Sequence, residues 1–194
     1  MGVKKVRGTN LQNSQMSKSI PLGLTNDTKE SDLHIIFGNT NHFEVAHTES
    51  KNLQNSNFSI YANFSSRNNL IIRSHLLKMA TKLPFVQYAE TRFTERGRID
   101  YLKDLRFHNL VLCPEGNGVD THRLWETLYM GGIPVITKSQ FLPTVVSQLP
   151  VLQLESWDQI QNLNYLMEEY TKIKTCEYNF DVLRMSWWRK QFSA

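Results

Sequence analysis

Residues 109–136 read NLVLCPEGNGVDTHRLWETLYMGGIPVI, and their pattern is the clearest indication of the fold class. The apolar run at 109–113 predicts a buried strand, and the Gly- and Pro-containing segment 114–118 predicts a loop. Apolar residues at helical spacing in 121–130 predict a helix, and the apolar run at 133–137 predicts a second strand. The order strand, loop, helix, strand is typical of an α/β fold with a parallel sheet.

The same alternation extends to both sides of this stretch. Further strands are predicted at 33–37, 58–64, 85–89 and 151–154, helices at 70–80 and 99–107, and a helical turn at 141–147. Two closing helices are predicted from apolar residues repeating every three or four positions, one at 157–170 and one at 180–188. Apolar strands separated by helices predict a parallel sheet with helices on both faces.

Composition narrows the function classes. The chain has 194 residues, of which 40% are hydrophobic, and no apolar stretch approaches the roughly 18 residues of a membrane span. A polar segment follows the basic amino terminus, so we expect no secretory signal and a cytoplasmic location. The net charge of +4 suits any anionic ligand, and the scattered cations do not favour nucleic acid. Cys113 and Cys176 lack zinc-site spacing, so we expect no metal.

The loop at 114–118 is the candidate ligand site. It follows a buried strand and precedes a helix, and ligands of open parallel sheets bind outside the carboxyl ends of the strands. Gly116 and Gly118 let the backbone approach an anion closely, and Asp120 or Thr121 is a suitable N-cap. The free N–H groups of the following helix favour phosphate. We therefore predict that the loop cradles a diphosphate.

The helix after this loop has a polar and an apolar side. On a helix with about 3.6 residues per turn, the polar residues fall within one arc and are His122, Arg123 and Glu126. The apolar residues, which we expect to face the sheet, are Leu124, Trp125, Leu128 and Tyr129. Arg123 suits phosphate oxygens and Glu126 suits ribose hydroxyls. The alternative is a solvated helix face with an ordinary i,i+3 Arg–Glu pair.

These residues resemble the carboxyl-terminal half of the exostosin-like glycosyltransferases, which carries a strand, then P-x-G-x-G…D-x-x-R-x-x-E, then G-x-I-P-V. The matching residues here are Pro114, Gly116, Gly118, Asp120, Arg123, Glu126, Gly132, Ile133, Pro134 and Val135. The arrangement is also similar to the donor half of α1,3-fucosyltransferases, where a Thr-Glu-Lys-Leu-Trp segment stands at the position of 121–125. The resemblance spans about half the chain, roughly residues 58–157.

The resemblance implies a Rossmann-like half of a GT-B glycosyltransferase that binds a UDP- or GDP-linked sugar without a metal or other cofactor. By this analogy Arg123 contacts the diphosphate, Glu126 the ribose, and the backbone of 116–118 the phosphate or sugar. Asn63 and Arg73 would add a phosphate contact, although Arg67 and Arg73 are equally well interpreted as surface residues. The predicted donor site therefore comprises Asn63, Arg73, Gly116, Asn117, Gly118, Asp120, Thr121, His122, Arg123 and Glu126.

His122 either bonds the donor or caps its helix, and the other five histidines are interpreted as surface or capping residues. Residues 1–30 are predicted to be a linker or the tail of an amino-terminal domain, 31–175 the nucleotide-sugar-binding domain, and 176–194 a helix that packs back on it. A GT-B enzyme has two such domains, which leaves three explanations: the chain is a fragment, a homodimer or partner chain completes the cleft, or the protein only binds the nucleotide. The first hypothesis for function is a glycosyltransferase acting on a glycan or other acceptor. The alternatives are a non-catalytic nucleotide-sugar-binding module and a fold relic with an interaction role.

Overall fold

Five strands form a single parallel sheet in the computed structural model, which describes residues 21–24, 32–139, 142 and 144–192. The strands are β1 (Ile60–Ala62), β2 (Val86–Tyr88), β3 (Leu110–Leu112), β4 (Pro134–Thr137) and β5 (Leu152–Leu154). Their order across the sheet is β2-β1-β3-β4-β5. All four pairings are parallel, so every strand ends at the same edge of the sheet.

Helices precede, connect and follow the strands. They are α1 (Asp32–Gly38), α2 (Asn41–Ser50), α3 (Leu70–Ala80), α4 (Glu95–Phe107), α5 (His122–Tyr129), α6 (Leu163–Thr175) and α7 (Met185–Phe192). Short 3-10 helices lie at Thr144–Gln148, Trp157–Gln161 and Phe180–Leu183. Several helices have an N-cap side chain that accepts a backbone N–H of the first turn. At the start of α4, for example, the Thr94 hydroxyl accepts the N–H of Gly97 at 3.0 Å.

Alternating side chains of the strands supply two cores, one on each face of the sheet. On one face Ile60 and Leu112 pack in a cluster with Leu76 of α3 and Leu166 of α6. On the other face the intervening strand residues join α4, α5 and α7 in a second cluster, which includes Tyr61, Val111, Leu102, Leu124 and Trp188. The predicted α/β sheet with helices on both faces is confirmed.

The strand order reverses direction beside β1. From β1 the chain crosses to β2 on one side and then returns to β3 on the other. A crevice forms at such a point because the connections from the two neighbouring strands leave in opposite directions. The carboxyl ends of β1 and β3, which lie at this crevice, carry Asn63 and the 114–118 loop.

Two predictions near the amino terminus differ from the structure. The strand predicted at 33–37 is part of α1, since a short apolar run fits either a strand or a helix turn. Helix α2 was not predicted, because two of its three buried residues, His42 and Ser50, are polar. Their side chains bond nearby carbonyls, His42 Nδ1 to Ile36 at 3.0 Å and Ser50 Oγ to Ala46 at 2.7 Å.

The closing helices are also divided. The helix predicted at 157–170 is a 3-10 helix at Trp157–Gln161, a break at Asn162, and then α6. A 3-10 helix has about 3.0 residues per turn, so the break shifts the buried face of α6 relative to the predicted pattern. Leu166 is consequently buried, whereas Met167, which the pattern placed inside, is 43% exposed. The second closing helix likewise begins with the 3-10 helix Phe180–Leu183 and continues as α7.

Most of the predicted linker at 1–30, with the exception of 21–24, lies outside the described residues. So do Phe141 and Pro143 of the predicted helical turn. The division of the chain at residues 30 and 175 stays a prediction. In the part of the chain that the structure describes, no helix has both the length and the apolar character needed to cross a membrane.

Candidate functional site

A cavity of about 400 Å³ opens at the carboxyl ends of β1 and β3, within the usual size range of small-molecule sites. All ten residues of the predicted donor site line it. The remaining lining residues were not predicted from the sequence; they are Leu22, Phe37, Asn68, Thr91, Arg92, Gly97, Arg98 and Tyr101. The topology therefore brings together residues that lie up to 63 positions apart in the prediction, from Asn63 to Glu126.

Arg73 of α3 holds the loop that follows β3. Its guanidinium donates hydrogen bonds to the carbonyls of Glu115 at 2.7 Å, Pro114 at 3.0 Å and Ser65 at 3.2 Å. The residue is 6% exposed, so the interpretation of Arg73 as a surface residue is wrong. Three of its five N–H donors are used by the backbone, and the others stay available at the cavity wall.

The loop itself is held in a tight conformation. The N–H of Gly116 donates to the carbonyl of Gly118 at 2.9 Å, so in this conformation it is not free for a phosphate oxygen. A Cβ added to Gly116 would lie 3.2 Å from Arg73 Nη2, which explains why a glycine stands there. Gly118 has no such restriction, because its nearest atom would be 3.9 Å away.

Two residues at the start of α5 that were predicted to bind the donor form hydrogen bonds within the protein. Asp120 is not the N-cap, since its carboxylate accepts the N–H of Leu22 at 2.8 Å and the indole N–H of Trp125 at 2.6 Å. His122 Nδ1 donates to the carbonyl of Gly23 at 2.7 Å, and because that carbonyl only accepts, Nδ1 carries the proton. Both residues thus hold the segment 21–24 against the start of α5.

Thr121 occupies the N-cap position but makes no capping hydrogen bond from its side chain. Its Oγ1 is buried and has no hydrogen-bond partner among the described residues. A buried hydroxyl without a partner costs free energy, so such groups are uncommon and call for an explanation. At the amino terminus of a helix, beside a cavity, a bound anion would supply the missing partner.

Arg123 adds a second unsatisfied group on the first turn of α5. Its Nε is buried and has no hydrogen-bond partner within the described part of the chain. Burial acts to lower the pKa of Arg123, but Tyr101, Cys113 and Glu126 outweigh that effect and the pKa is raised. The pKa of Arg73 is lowered to about 10 by burial and by the charge of Arg123. Two guanidinium groups therefore repel each other within one cavity, which is the condition that an anionic ligand relieves.

Glu126 is buried rather than solvated, at 4% exposure. One carboxylate oxygen accepts Arg98 Nη2 at 2.6 Å and the other accepts the Tyr101 hydroxyl at 2.8 Å. Burial acts to raise the pKa of Glu126, but the charge and hydrogen bond of Arg98, the hydrogen bond of Tyr101 and the charge of Arg123 together lower it. The alternative of a solvated face with an Arg123–Glu126 pair is wrong, because this face packs against α4.

The apolar side of α5 also differs in one place. Leu124, Trp125 and Leu128 are buried as predicted, whereas Tyr129 is 45% exposed. Its ring packs edge-on against Phe43, and its hydroxyl donates to the carbonyl of Leu183. Tyr129 thus covers the margin of the core from outside, where its hydroxyl reaches a partner.

Arg98 is a cavity-lining residue that the sequence pattern did not predict. It is the buried cation that pairs with Glu126 and is only 1% exposed. Charged residues surround it in sequence, and nothing in residue type distinguishes it from the exposed Arg96. One signal was available: Arg98 lies at i−4 from Leu102 and i−7 from Leu105, on the buried face of α4.

Asn63 lies just beyond the end of β1 and is 4% exposed. Its Nδ2 donates to the Tyr61 hydroxyl at 3.3 Å, and its Oδ1 accepts the Thr91 hydroxyl at 3.1 Å. Asn63 thereby joins the ends of β1 and β2 at the cavity wall. Within the described ranges, no group of three or more His, Cys, Asp or Glu side chains is placed to hold a metal ion.

Two histidines fit the capping interpretation but not the surface one. His108 is the C-cap residue of α4, and His42 bonds the carbonyl of Ile36 in the last turn of α1. His42 and His108 are buried, at 6% and 3% exposure. His108 stacks on Tyr61 with ring centroids 5.0 Å apart. Its Nδ1 donates to the carbonyl of Asp104 at 2.9 Å, and its Nε2 lies 3.1 Å from the side-chain amide of Gln87. It therefore packs between α4 and the sheet, away from the cavity lining.

Comparison with known proteins yields one family match. The model described as the RXYLT1 C-terminal domain matches residues 37–194. This range contains all five strands and every residue of the predicted donor site. No curated protein matches the chain.

Proposed function

The chain belongs to the RXYLT1 C-terminal domain family, an exostosin-like glycosyltransferase family, and from this premise we propose that its cavity binds a nucleotide-diphosphate sugar. One observation carries the proposal: the guanidinium of Arg123 has a buried Nε at the start of α5 that no described residue partners. The carboxylate one turn further along α5, Glu126, is taken by Arg98. The cavity lining therefore includes a guanidinium with an N–H group that is left for a ligand to bond.

The surroundings of Arg123 suit a diphosphate. The first turn of α5 adds unpaired N–H groups and a partial positive charge. The Thr121 hydroxyl supplies a further donor, and Arg73 keeps the 114–118 loop folded beside them. An arginine can bind two phosphate oxygens at once through its planar fork, which adds geometric selectivity to charge.

In this proposal the same groups assist the transfer step. The bond between the anomeric carbon and the diphosphate oxygen breaks, and negative charge develops on the departing diphosphate. Arg123 and the helix terminus stabilise that charge where it forms, which is the role that a divalent cation has in metal-dependent transferases. The acceptor hydroxyl bonds to the anomeric carbon and gives its proton to a base. The family further suggests a xylosyl donor.

A binding module without turnover is the second candidate, and a specific observation favours it. The cavity lining includes two buried or partly buried carboxylates, Asp120 and Glu126, and all four of their oxygens accept hydrogen bonds from protein donors. The pKa of Glu126 is lowered by Arg98, Tyr101 and Arg123 against the effect of burial. Neither of these two carboxylates is thus arranged as a general base.

Thermal-shift titration tests the binding proposal. UDP, GDP and their sugar conjugates, including UDP-xylose, are added at increasing concentration to the full chain. Ligand at 100 times its dissociation constant stabilises the folded state by about 2.7 kcal/mol. For a protein of this size we expect Tm to rise by roughly 2–4 °C per kcal/mol.

Arg123→Ala should abolish the shift, whereas Arg96→Ala should retain it, because Arg96 is an exposed residue paired with Glu49 on the surface of α4. Absence of any shift with all nucleotides would overturn the binding proposal. If a shift is found, donor hydrolysis or transfer by the same protein decides between the transferase and the binding module.

A further inference from the structure

The segment 21–24 lies against the start of α5, although 98 positions separate Leu22 from its partner Asp120. The Asp120 carboxylate accepts the N–H of Leu22 at 2.8 Å, and His122 Nδ1 donates to the carbonyl of Gly23 at 2.7 Å. The side chain of Leu24 packs against the core on the α5 side of the sheet. Three consecutive residues are thus anchored beside the ligand cavity.

This segment, which we call the strap, depends on side chains for its position. It belongs to no helix or strand, and no backbone–backbone hydrogen bond joins it to another residue in the described part of the chain. A segment with few hydrogen bonds and few buried apolar contacts has low local stability. Loss of one polar anchor should therefore loosen the strap without unfolding the sheet.

Leu22 gives the strap a place in the cavity wall. Its side chain lines the cavity and is 51% exposed, so apolar area remains that a ligand can cover. The family model begins at residue 37, and the strap lies outside that range. The strap is therefore a feature of this cavity that the family match does not describe.

The two anchors have few groups left for a ligand. Both oxygens of Asp120 accept protein N–H groups, one from Leu22 and the other from the indole of Trp125. The His122 ring uses Nδ1 for the carbonyl of Gly23, which leaves only Nε2. The hydrogen bonds of both residues thus serve the position of the strap.

We propose that Asp120 and His122 are positioning residues that hold Leu22 as an apolar wall of the cavity, instead of contacting the nucleotide themselves. The proposal rests on the proposed function, since it requires that a nucleotide occupy the cavity. A bound nucleotide then covers apolar area of Leu22, which stabilises the complex. Because the anchors order the strap beforehand, binding does not have to restrict it.

Affinity measurements on the wall residue are the first test. The dissociation constants of UDP and GDP are measured by calorimetry on the full chain. Leu22→Ala should weaken binding by roughly five- to tenfold, because it removes about three apolar carbons of which the ligand covers about half. Leu53→Ala is the matched control, since Leu53 is 48% exposed and is not part of the cavity lining. It should bind as the wild-type protein does.

Two substitutions of His122 separate an anchor from a ligand contact. His122→Ala removes the bond to Gly23 and should weaken binding by a factor similar to that of Leu22→Ala. His122→Asn retains an amide N–H near the position of Nδ1 but has no group at the position of Nε2, so it should restore the lost affinity. The double variant Leu22→Ala/His122→Ala should bind about as weakly as either single variant, because residues that act through one another are not additive.

Amide hydrogen exchange measures the position of the strap in the absence of ligand. At short labelling times, exchange of a peptide containing 21–24 should be faster in His122→Ala and in Asp120→Ala than in the wild-type protein. His122→Asn should show wild-type exchange. If Asp120→Ala fails to fold because it also loses the bond to Trp125, the two His122 variants still decide the result. These measurements do not depend on the proposed function.

The outcomes distinguish this inference from the proposed function. Additive effects of Leu22→Ala and His122→Ala, or weak binding by His122→Asn, would show that His122 contacts the nucleotide and would overturn the inference. Wild-type exchange in His122→Ala would overturn its role as an anchor. Wild-type affinity in Leu22→Ala would overturn the role of the wall while leaving the nucleotide site intact. Failure of every nucleotide to bind would overturn the proposed function and this inference together.

Discussion

At the scale of single residues, Gly132 lies between α5 and β4 at a position that tolerates no side chain. A Cβ at this position would lie 2.2 Å from the carbonyl oxygen of Leu105 and 3.0 Å from Thr127 Cγ2. Its N–H also donates to the Thr127 carbonyl at 2.9 Å. The close approach brings the entry to β4 against the end of α4, and the first of the clashing atoms belongs to backbone, which cannot rotate away.

Gly132→Ala should therefore destabilise the protein strongly. We expect the free energy of unfolding to fall by about 3 kcal/mol, the upper end of the range for overpacking a core. Urea denaturation followed by circular dichroism measures this change. Gly118→Ala is the control, because its Cβ would meet only ordinary contact at 3.9 Å, and it should change stability by less than about 0.5 kcal/mol. A Gly132→Ala protein as stable as the control would contradict the argument.

At the scale of one element, the start of α5 is less well satisfied than an ordinary helix terminus. Its N-cap hydroxyl makes no capping bond, although capping is the usual contribution of a threonine there. Asp120, the other residue predicted as a cap, bonds Leu22 and Trp125 instead. The helix thus lacks a stabilising capping hydrogen bond at the point where the candidate ligand would bind. Such a departure from the usual local pattern is common at functional sites.

Thr121→Val should separate stability from binding. Valine has the same shape but no hydroxyl, so removing an unpartnered buried group should leave the stability of the free protein unchanged or slightly raised. Nucleotide affinity should fall by roughly ten- to a hundredfold, the effect of one lost hydrogen bond to a charged group. Thermal denaturation with and without nucleotide measures both quantities.

Thr121→Ser supplies the control for that experiment, since it keeps the hydroxyl and should bind nucleotide nearly as well as the wild-type protein. If Thr121→Val lowers the stability of the free protein by about 1 kcal/mol, the hydroxyl acts as an ordinary cap. Unchanged nucleotide affinity would remove Thr121 from the site.

At the scale of the whole molecule, His108 joins several layers of the structure, and its buried ring makes folding depend on pH. It contacts Asp104 of α4, Gln87 of β2 and Tyr61 of β1. Burial lowers the pKa of His108 below its ordinary value of 6.5, although Asp104 acts in the opposite direction. Below pH 6.5 the unfolded chain therefore binds a proton more readily than the folded protein does.

The sign of the pH effect is set by this difference. Above pH 6.5 the ring is neutral in both states and its contribution to stability is complete; that contribution is lost as pH falls towards the folded pKa. We expect the urea midpoint of the wild-type protein to decrease between pH 7.5 and 5.5. In His108→Gln that decrease should be smaller, even though the variant is less stable overall.

His75→Gln is the matched control for the pH series, since His75 is exposed and its ring faces Asp158 on the surface. It should reproduce the pH dependence of the wild-type protein. An equal decrease in His108→Gln would assign the pH dependence to other groups. Glu126 affects stability only at lower pH. Because its pKa is lowered in the folded protein, its contribution to stability is lost as pH falls below about 4.5.

Local sequence pattern is enough to predict the order of strands and helices from 58 to 154 and the position of the candidate site in that order. Continuous apolar runs mark β1 and β3 because both faces of these strands are covered, and helical spacing marks α3 and α5. Local pattern predicted the site residues between 116 and 126, whereas Asn63 and Arg73 were added from the resemblance to the exostosin-like glycosyltransferases. The structure brings all ten residues to one cavity because β1 and β3 are neighbours in the sheet.

The partner of each buried polar group cannot be predicted from local pattern and is known only from the tertiary structure. Arg98 and Glu126 are 28 positions apart, and nothing local says that α4 packs its cation against α5. The same holds for α2, whose buried His42 and Ser50 carry no apolar signal, and for Asp120, which bonds Leu22 across 98 positions. Periodicity along the chain reports which side of an element is buried, whereas the partner of a buried charge depends on contacts between distant segments.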